Sequence, residues 1–493
     1  MKRKIQLFGS LLSAAALAVT ACQPQVVEVT VPVEVTVPPV EVEVTSQVEV
    51  EVTREVSVGG TTIQLWSTET QPNRAAATQE IINQFREQSG INVELILTDE
   101  DSLPNLMTAA VAAGTLPDVV FHPLDFSLGW EAQGILDAAA ASVVIEELGP
   151  DTFAQGPLSL VAVDGGYAAV PSDGWGQLIL YRTDLFEAAG LEPPTTYEAM
   201  LTAAEALNDP ANNRFGVSLA NDAGAVFTQQ TFEHIALANG CEMVDDSGAV
   251  TLDTPECVEA IDFYNTLMTQ YAPQGTQDVA AVRANYFAGA AAMIVWSPFI
   301  LDEMAGLRDN ALPACPECVD NPAFLTEVTG FVTGFQGPSG ETPVQYGQVS
   351  YVGITTGADT AAAQEFLRFW FNEGYLSWLA VAAEGKFPMR TGTADNPTEF
   401  LDGWRTLEVG VDRRAPLGDF YSDEVINTLI EGAGSFGRWG FTQGQGQLVT
   451  AVYESLTLPR LLADMLGGSL SPKDVAADAQ VEVEDLQAEL AAE

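Results

Sequence analysis

Beyond Thr61 the sequence predicts an α/β protein. Three observations carry that expectation: short apolar segments alternate with amphipathic ones, two strand–helix–strand steps fall within about sixty residues, and 493 residues are too many for one ordinary core. Thr62 to Trp66 (TIQLW) reads as a strand, Ala75 to Gln88 as a helix, and Asn92 to Leu97 as a second strand. Leu103 to Ala113 is helical again and stops at Gly114, and Asp118 to Phe121 is a third strand. Steps of this kind predict a parallel sheet with right-handed crossovers. Further helices are expected at 196–207, 255–271, 361–372 and 423–431.

The chain carries 68 acidic and 19 basic side chains, a net charge of -49, yet charged residues make up only 18% of it. That is below the roughly 25% of ordinary soluble proteins, so the imbalance reflects missing base more than surplus acid. Lysine occurs only at Lys2, Lys4, Lys386 and Lys473. Nucleic-acid binding is excluded, because affinity for phosphate backbones needs clustered Lys and Arg. Adhesion to an anionic lipid surface by charge alone fails for the same reason.

Residues 1–21 have a basic start, an apolar run from Ile5 to Val19, and small residues leading to Cys22. This resembles a bacterial lipoprotein signal, whose cleavage leaves an acylated Cys22 at the new N-terminus. The alternative is a plain secretory signal with an incidental Cys. A spanning helix does not fit, since Ser10, Ser13 and Thr20 interrupt a run already near the roughly 20-residue minimum. Loss of Lys2, Arg3 and Lys4 leaves 16 basic against 68 acidic residues, a net charge of -52. Residues 22–60 continue as a low-complexity run of Val alternating with Glu and Thr, broken by Pro24, Pro32, Pro38 and Pro39. Its repeated charge and proline oppose self-pairing, so it reads as an extended tether, with a β-rich adhesive stalk as the alternative. The expected location is extracytoplasmic, lipid-anchored to the outer face of the cell membrane, in a periplasm or at the cell surface.

Four cysteines remain, an even number that in an exported protein is best read as two disulfides. Cys241 and Cys257 flank an expected hairpin whose second arm leads into a helix, and Cys315 and Cys318 form the sequence CPEC in a Pro-rich loop. A redox-active pair or half of a zinc site is the alternative for CPEC. Zinc usually needs four ligands, and only His122 and His234 could add imidazole. Neither a metal nor a cofactor is expected.

From Pro117 to Leu136 the sequence PDVVFHPLDFSLGWEAQGIL resembles a segment of the family 1 extracellular solute-binding proteins, the substrate receptors of ABC importers. FREQSGINV at Phe85 is similar to the family's first helix end and second strand. GYAAVPSDGWGQLILYRTDLFEAAGLEPPTTYEAM, from Gly166, is similar to its lobe crossing and the block after it, with Arg182 where Asn is usual. YFAGAAAMIVWSPF at Tyr286, KFPMR at Lys386 and GGSLSPKDVAADAQ near the end resemble later family elements in the right order. The resemblance implies a periplasmic-binding-protein-like fold over residues 61–493: two α/β lobes joined by a hinge, with the ligand cleft between them. The N-lobe would cover roughly 61–172 and 346–385, and the C-lobe roughly 176–345 and 390–493. It further implies a monomer that closes on a small-molecule ligand, a mono- or oligosaccharide, and presents it to the transmembrane subunits of an ABC permease.

A sugar site needs apolar faces for the C–H side of the ring and planar polar groups for its hydroxyls. By resemblance to the maltose-binding members of the family, Asp125 stands where a carboxylate meets sugar hydroxyls, His122 where a sugar-contacting Trp is found, and Trp175 where a ligand-contacting Glu is found. Trp296 and Phe299 bracket the turn that carries an aromatic platform, one expected in the cleft and the other in the core. Gln229 aligns loosely with another aromatic contact. Glu69 ends the first strand at the expected cleft rim, and Arg390, in the KFPMR turn, is a candidate fork for hydroxyls or a carboxylate. The acidic bulk around such a site disfavours anionic ligands, so a neutral sugar fits best.

Two other readings stay open. A glycosidase or polysaccharide lyase would also use carboxylates, but with 68 of them a pair at the right separation arises by chance. The sequence has no H-E-x-x-H, P-loop or G-x-S-x-G, and its G-x-G-x-x-G (Gly432, Gly434, Gly437) follows a helix-like segment instead of a strand. A purely structural surface lipoprotein is the second alternative.

Overall fold

A computed structural model of the chain describes residues 60–99, 102–433 and 436–492. The signal, Cys22 and the tether therefore lie outside the described residues.

The N-terminal elements fall where hydrophobic patterning places them, with small shifts at their ends. Strand Thr62–Ser67 is followed by helix Pro72–Ser89, strand Asn92–Leu97, helix Leu103–Ala113 and strand Val119–Pro123. Helix Leu103–Ala113 forms because Leu103, Met107 and Ala110 recur on one face, where all three are buried. Helix Pro72–Ser89 starts three residues earlier than expected, since proline is tolerated in a first turn that has no hydrogen-bond partner to lose. The expected helix 255–271 is α-helical only over Pro255–Thr266 and ends in a π turn, Leu267–Tyr271.

Strands Asn92–Leu97, Thr62–Ser67 and Val119–Pro123 are parallel neighbours, as the strand–helix–strand steps require. The sheet does not stay parallel. The ten-residue strand Gln345–Ile354 lies antiparallel between Val119–Pro123 and Val170–Gly176, and Phe387–Pro388 closes that edge. Phe436–Gly437 adds a short parallel partner at the start of the long strand. Helices cover this sheet, and its centre is aromatic: Phe121 lies 5.2 Å from Trp370 and 4.7 Å from Trp378, ring centre to ring centre.

A second, wholly antiparallel sheet has Leu178–Arg182 in the middle, flanked by Met293–Trp296 and Thr329–Val332. Only Gln177 separates this middle strand from Val170–Gly176 of the first sheet. The chain therefore passes from one α/β lobe to the other at Gln177, and it returns across 333–344 into the long strand. Gln177 is pinned at the crossing: its N–H donates to the Tyr346 carbonyl at 2.9 Å, and its own carbonyl accepts from Gln345 Nε2 at 2.9 Å.

Both disulfides are formed. Cys241–Cys257 ties the segment after helix Val226–Ala238 to helix Pro255–Thr266, and Cys315–Cys318 closes the CPEC turn. The expected hairpin between the first pair is reduced to a single bridge, Val244 to Val250, with a turn held by Asp245. Among the described residues no helix is long and apolar enough to cross a membrane. Among the same residues no group of three or more His, Cys, Asp or Glu side chains is placed to hold a metal ion.

Candidate functional site

The floor of the site follows from one strand register. Val170–Gly176 pairs with Gln345–Ile354 so that Trp175 stands opposite Gln348 and Asp173 opposite Ser350. Side chains alternate across a sheet, so these four share a face. All four line a cavity of about 370 Å³. Between Asp173 and Trp175 sits Gly174, where a Cβ would lie 2.6 Å from the Gln348 carbonyl oxygen. Only glycine lets the two backbones approach this closely.

Other elements supply the walls. Thr68, Glu69 and Arg74 come from the end of the first strand and the helix after it, Phe121 and Pro123 from the third strand, and Gln230 from helix Val226–Ala238. Trp378, Gly385 and Lys386 close one side. Phe299, from the turn after strand Met293–Trp296, closes it from the second lobe. Its ring packs so tightly on Gly385 that a Cβ there would lie 2.0 Å from the ring carbons. The half-buried Trp175 meets Phe299 edge to face at 6.4 Å.

The charges in the cavity are paired. Lys386 Nζ lies 2.7 Å from Glu69 and 3.1 Å from Asp173, and 4.1 Å above the Trp378 ring. Arg74 holds the other Glu69 oxygen at 3.0 Å. Asp173 also accepts from Ser172 Oγ at 2.7 Å and from Trp378 Nε1. Burial alone would push the Glu69 carboxyl up, but Lys386 and Arg74 outweigh it and hold it below its ordinary value. Burial likewise opposes the Lys386 ammonium, and Asp173 and Glu69 reverse that and raise it. Two cations balance two carboxylates, so an ionic ligand would find no free countercharge.

The structure brings Glu69, His122, Trp175 and Phe299 to this cavity. His122 borders it from a buried position: its ring packs 5.3 Å from Trp130 and stacks with Tyr351, and Nδ1 pairs with the Pro123 carbonyl at 3.0 Å. Burial depresses the imidazole to about 4, which leaves it neutral. Trp296 is in the core, edge to face with Phe227 at 4.9 Å, so Phe299 is the member of that pair that reaches the cavity. Gln229 is wholly buried one position away from Gln230, because a step of one residue turns a helical side chain by about 100°. Arg390 stands outside the cavity. Its guanidinium donates to Thr152 Oγ1 at 3.1 Å, the Phe371 carbonyl at 2.6 Å, Asn372 Oδ1 at 2.8 Å and the Leu148 carbonyl at 3.2 Å. Asp125, at the start of helix Leu124–Ala132, borders a neighbouring cavity of about 520 Å³ and pairs with Arg438 at 3.1 Å.

The profile of the bacterial extracellular solute-binding protein family matches residues 69–376, well over half of the 493. The chain belongs to that family. The solute-binding protein is 27% identical over 410 residues, 81% of its own chain and 89% of the relative, to YcjN of Escherichia coli (strain K12), provisionally named an ABC transporter periplasmic-binding protein. It is 24% identical over 288 residues, 57% of its chain and 59% of the relative, to the maltotriose-binding protein of Pyrococcus abyssi. Its fold is similar to that of the sugar-binding protein MalE from Xanthomonas citri, with a TM-score of 0.67 at 17% identity over 87% of this chain and 98% of that one.

Within the solute-binding protein, sequence reasoning passed over Asp173, Gln348, Ser350, Trp378 and Lys386. Three of these left a trace in the sequence. Gln348 and Ser350 alternate with apolar residues in the strand QYGQVSYVGI, and Lys386 is one of only four lysines. The KFPMR turn was noticed, but for Arg390 at its end and not for Lys386 at its beginning.

Proposed function

We propose that this solute-binding protein is the lipid-anchored, extracytoplasmic receptor of an ABC importer, a monomer that closes on a neutral mono- or oligosaccharide and hands it to permease subunits. The observation that carries the reading is the cavity itself, in which Trp175 and Phe299 offer apolar faces beside a charge-balanced set of polar groups. Sugars present that combination, with C–H faces that stack on aromatic rings and hydroxyls that both donate and accept. Two lobes linked at Gln177 and across 333–344 fit hinge closure, with Phe299 meeting Gly385 when shut. We assign roughly residues 61–172 and 346–385 to one lobe and roughly 176–345 and 390–493 to the other, the strand ends at Gly176 and Gln345 lying at the crossings, with Glu69, Trp175 and Phe299 as ligand contacts.

An enzymatic reading finds less support. A glycosidase keeps one carboxylic acid protonated near neutrality, whereas Glu69 is held below its ordinary value and Asp173 is tied to Lys386. Titrating the protein with neutral sugars and polyols, while following tryptophan fluorescence and melting temperature, separates the readings. Saturable binding, a raised midpoint and unaltered ligand afterwards are expected. Recovery of cleaved sugar would point to an enzyme, and silence across the panel to a structural lipoprotein.

A further inference from the structure

Gln348 occupies an unusual position. It lines the ligand cavity beside its register partner Trp175, and its amide also closes a ring with two charged residues behind the cavity wall. Its Oε1 accepts from Arg438 Nη1 at 2.5 Å, its Nε2 donates to Asp125 Oδ2 at 3.1 Å, and Arg438 Nη2 meets Asp125 Oδ1 at 3.1 Å. A side-chain amide has two N–H donors and two lone pairs, and can in principle be turned end for end. Here a flip would set its N–H groups against a guanidinium and its oxygen against a carboxylate. The ion pair therefore permits one orientation only.

Neither charged partner is placed to serve the ligand directly. Arg438 is fully buried beneath the rings of Tyr346, Phe441 and Tyr453, and its Nε is held by Glu233 at 3.1 Å. Asp125 borders the neighbouring cavity. What both share with the ligand cavity is the Gln348 side chain, which still has one N–H and one lone pair unused by this ring.

We propose that Asp125 and Arg438 are positioning residues. They fix the polarity of the Gln348 amide, so that its unused donor stays at one end and its unused acceptor at the other, a fixed pattern for hydroxyls of a neutral sugar or polyol. The proposal rests on the cavity being the ligand site and extends it by naming what sets the hydroxyl geometry there. It moves Asp125 from direct ligand contact to control through Gln348.

The test is a double-mutant cycle on the full chain, using Asp125→Asn, Gln348→Ala and both together, titrated with maltose, maltotriose, ribitol and mannitol. Asparagine keeps the size of Asp125 but offers Gln348 no charged acceptor. For any probe that the wild type binds, each single substitution is expected to weaken binding about tenfold, roughly one hydrogen bond's worth. The double variant is expected to be no weaker than Gln348→Ala alone, to within about twofold. Losses that multiply to about a hundredfold would show that Asp125 acts independently, and Asp125→Asn with unchanged affinity would show that it does not act on the ligand; either overturns the proposal while leaving the ligand site intact. Gln348→Ala with unchanged affinity also overturns it. A wild type that binds none of the four probes removes the cavity reading as well, and is distinguished by the absence of any affinity to change.

Discussion

In a chain with 68 acidic and 19 basic side chains, a lysine buried between two carboxylates sets the character of the cavity around it. Without Lys386, Glu69 would keep only Arg74, and Asp173 would face the cavity uncompensated. Breaking a buried pair from one side commonly costs about 3–5 kcal/mol. Lys386→Met is accordingly expected to lower unfolding free energy in denaturant by that order, and a loss under about 1 kcal/mol would show that the pair is not buried in effect. Trp175→Ala makes the opposite prediction: the side chain is partly exposed in the cavity, so ligand affinity should fall by roughly 2 kcal/mol, about thirtyfold, while ligand-free unfolding barely changes. Trp175 could be singled out from sequence because an indole flanked by Gly174 and Gly176 makes poor core. Asp173 and Lys386 could not, since their contact joins positions 213 apart. Arg390 misled for a related reason: the carbonyls of Leu148 and Phe371 that absorb its donors are invisible until the chain is folded.

At the scale of elements, what was legible was local. Helix Leu103–Ala113 and the three parallel strands follow from periodicity that each segment carries alone. The antiparallel insertion of Gln345–Ile354 between Val119–Pro123 and Val170–Gly176 was not legible, because an apolar strand pattern says nothing of its partners. That insertion creates the cavity floor and carries Gln348 to the face of Trp175. The cysteine pairing was accessible from count and compartment, and it carries an energetic prediction. Cys241–Cys257 spans 16 residues and Cys315–Cys318 only 3. By loop-closure entropy the first contributes about 3 kcal/mol and the second about 2. Replacing Cys241 and Cys257 with Ala should therefore lower denaturant stability more than replacing Cys315 and Cys318, and equal losses would contradict the entropic account.

For the molecule as a whole, acidity has a stability consequence with a definite sign. Burial, then repulsion from Glu384, pushes the Asp302 carboxyl up from 3.8 to about 7, and burial, then Glu233 and Asp246, pushes Glu242 up from 4.5 to about 7. Between those bounds the folded chain holds protons that the unfolded chain has released, so these groups make stability fall as pH rises. His122 and His234 act against them. Burial depresses their imidazoles from 6.5 to about 4 and about 3, so their contribution is lost as pH falls below 6.5. The wild-type profile is a balance of the two, and the test is differential: Asp302→Asn should gain melting temperature relative to wild type between pH 5 and pH 8. A constant offset would mean that Asp302 titrates normally.

The central claim is that neutral sugar is held where Trp175, Phe299, Asp173 and Lys386 converge. It is tested most directly by a crystal structure of the full chain with whichever neutral sugar the titration shows to bind. A sugar ring inside the 370 Å³ cavity is expected, with one face on Trp175 and hydroxyls within hydrogen-bonding reach of Glu69, Asp173 or Gln348. Saturating sugar bound anywhere else, with this cavity holding only water, would contradict the account.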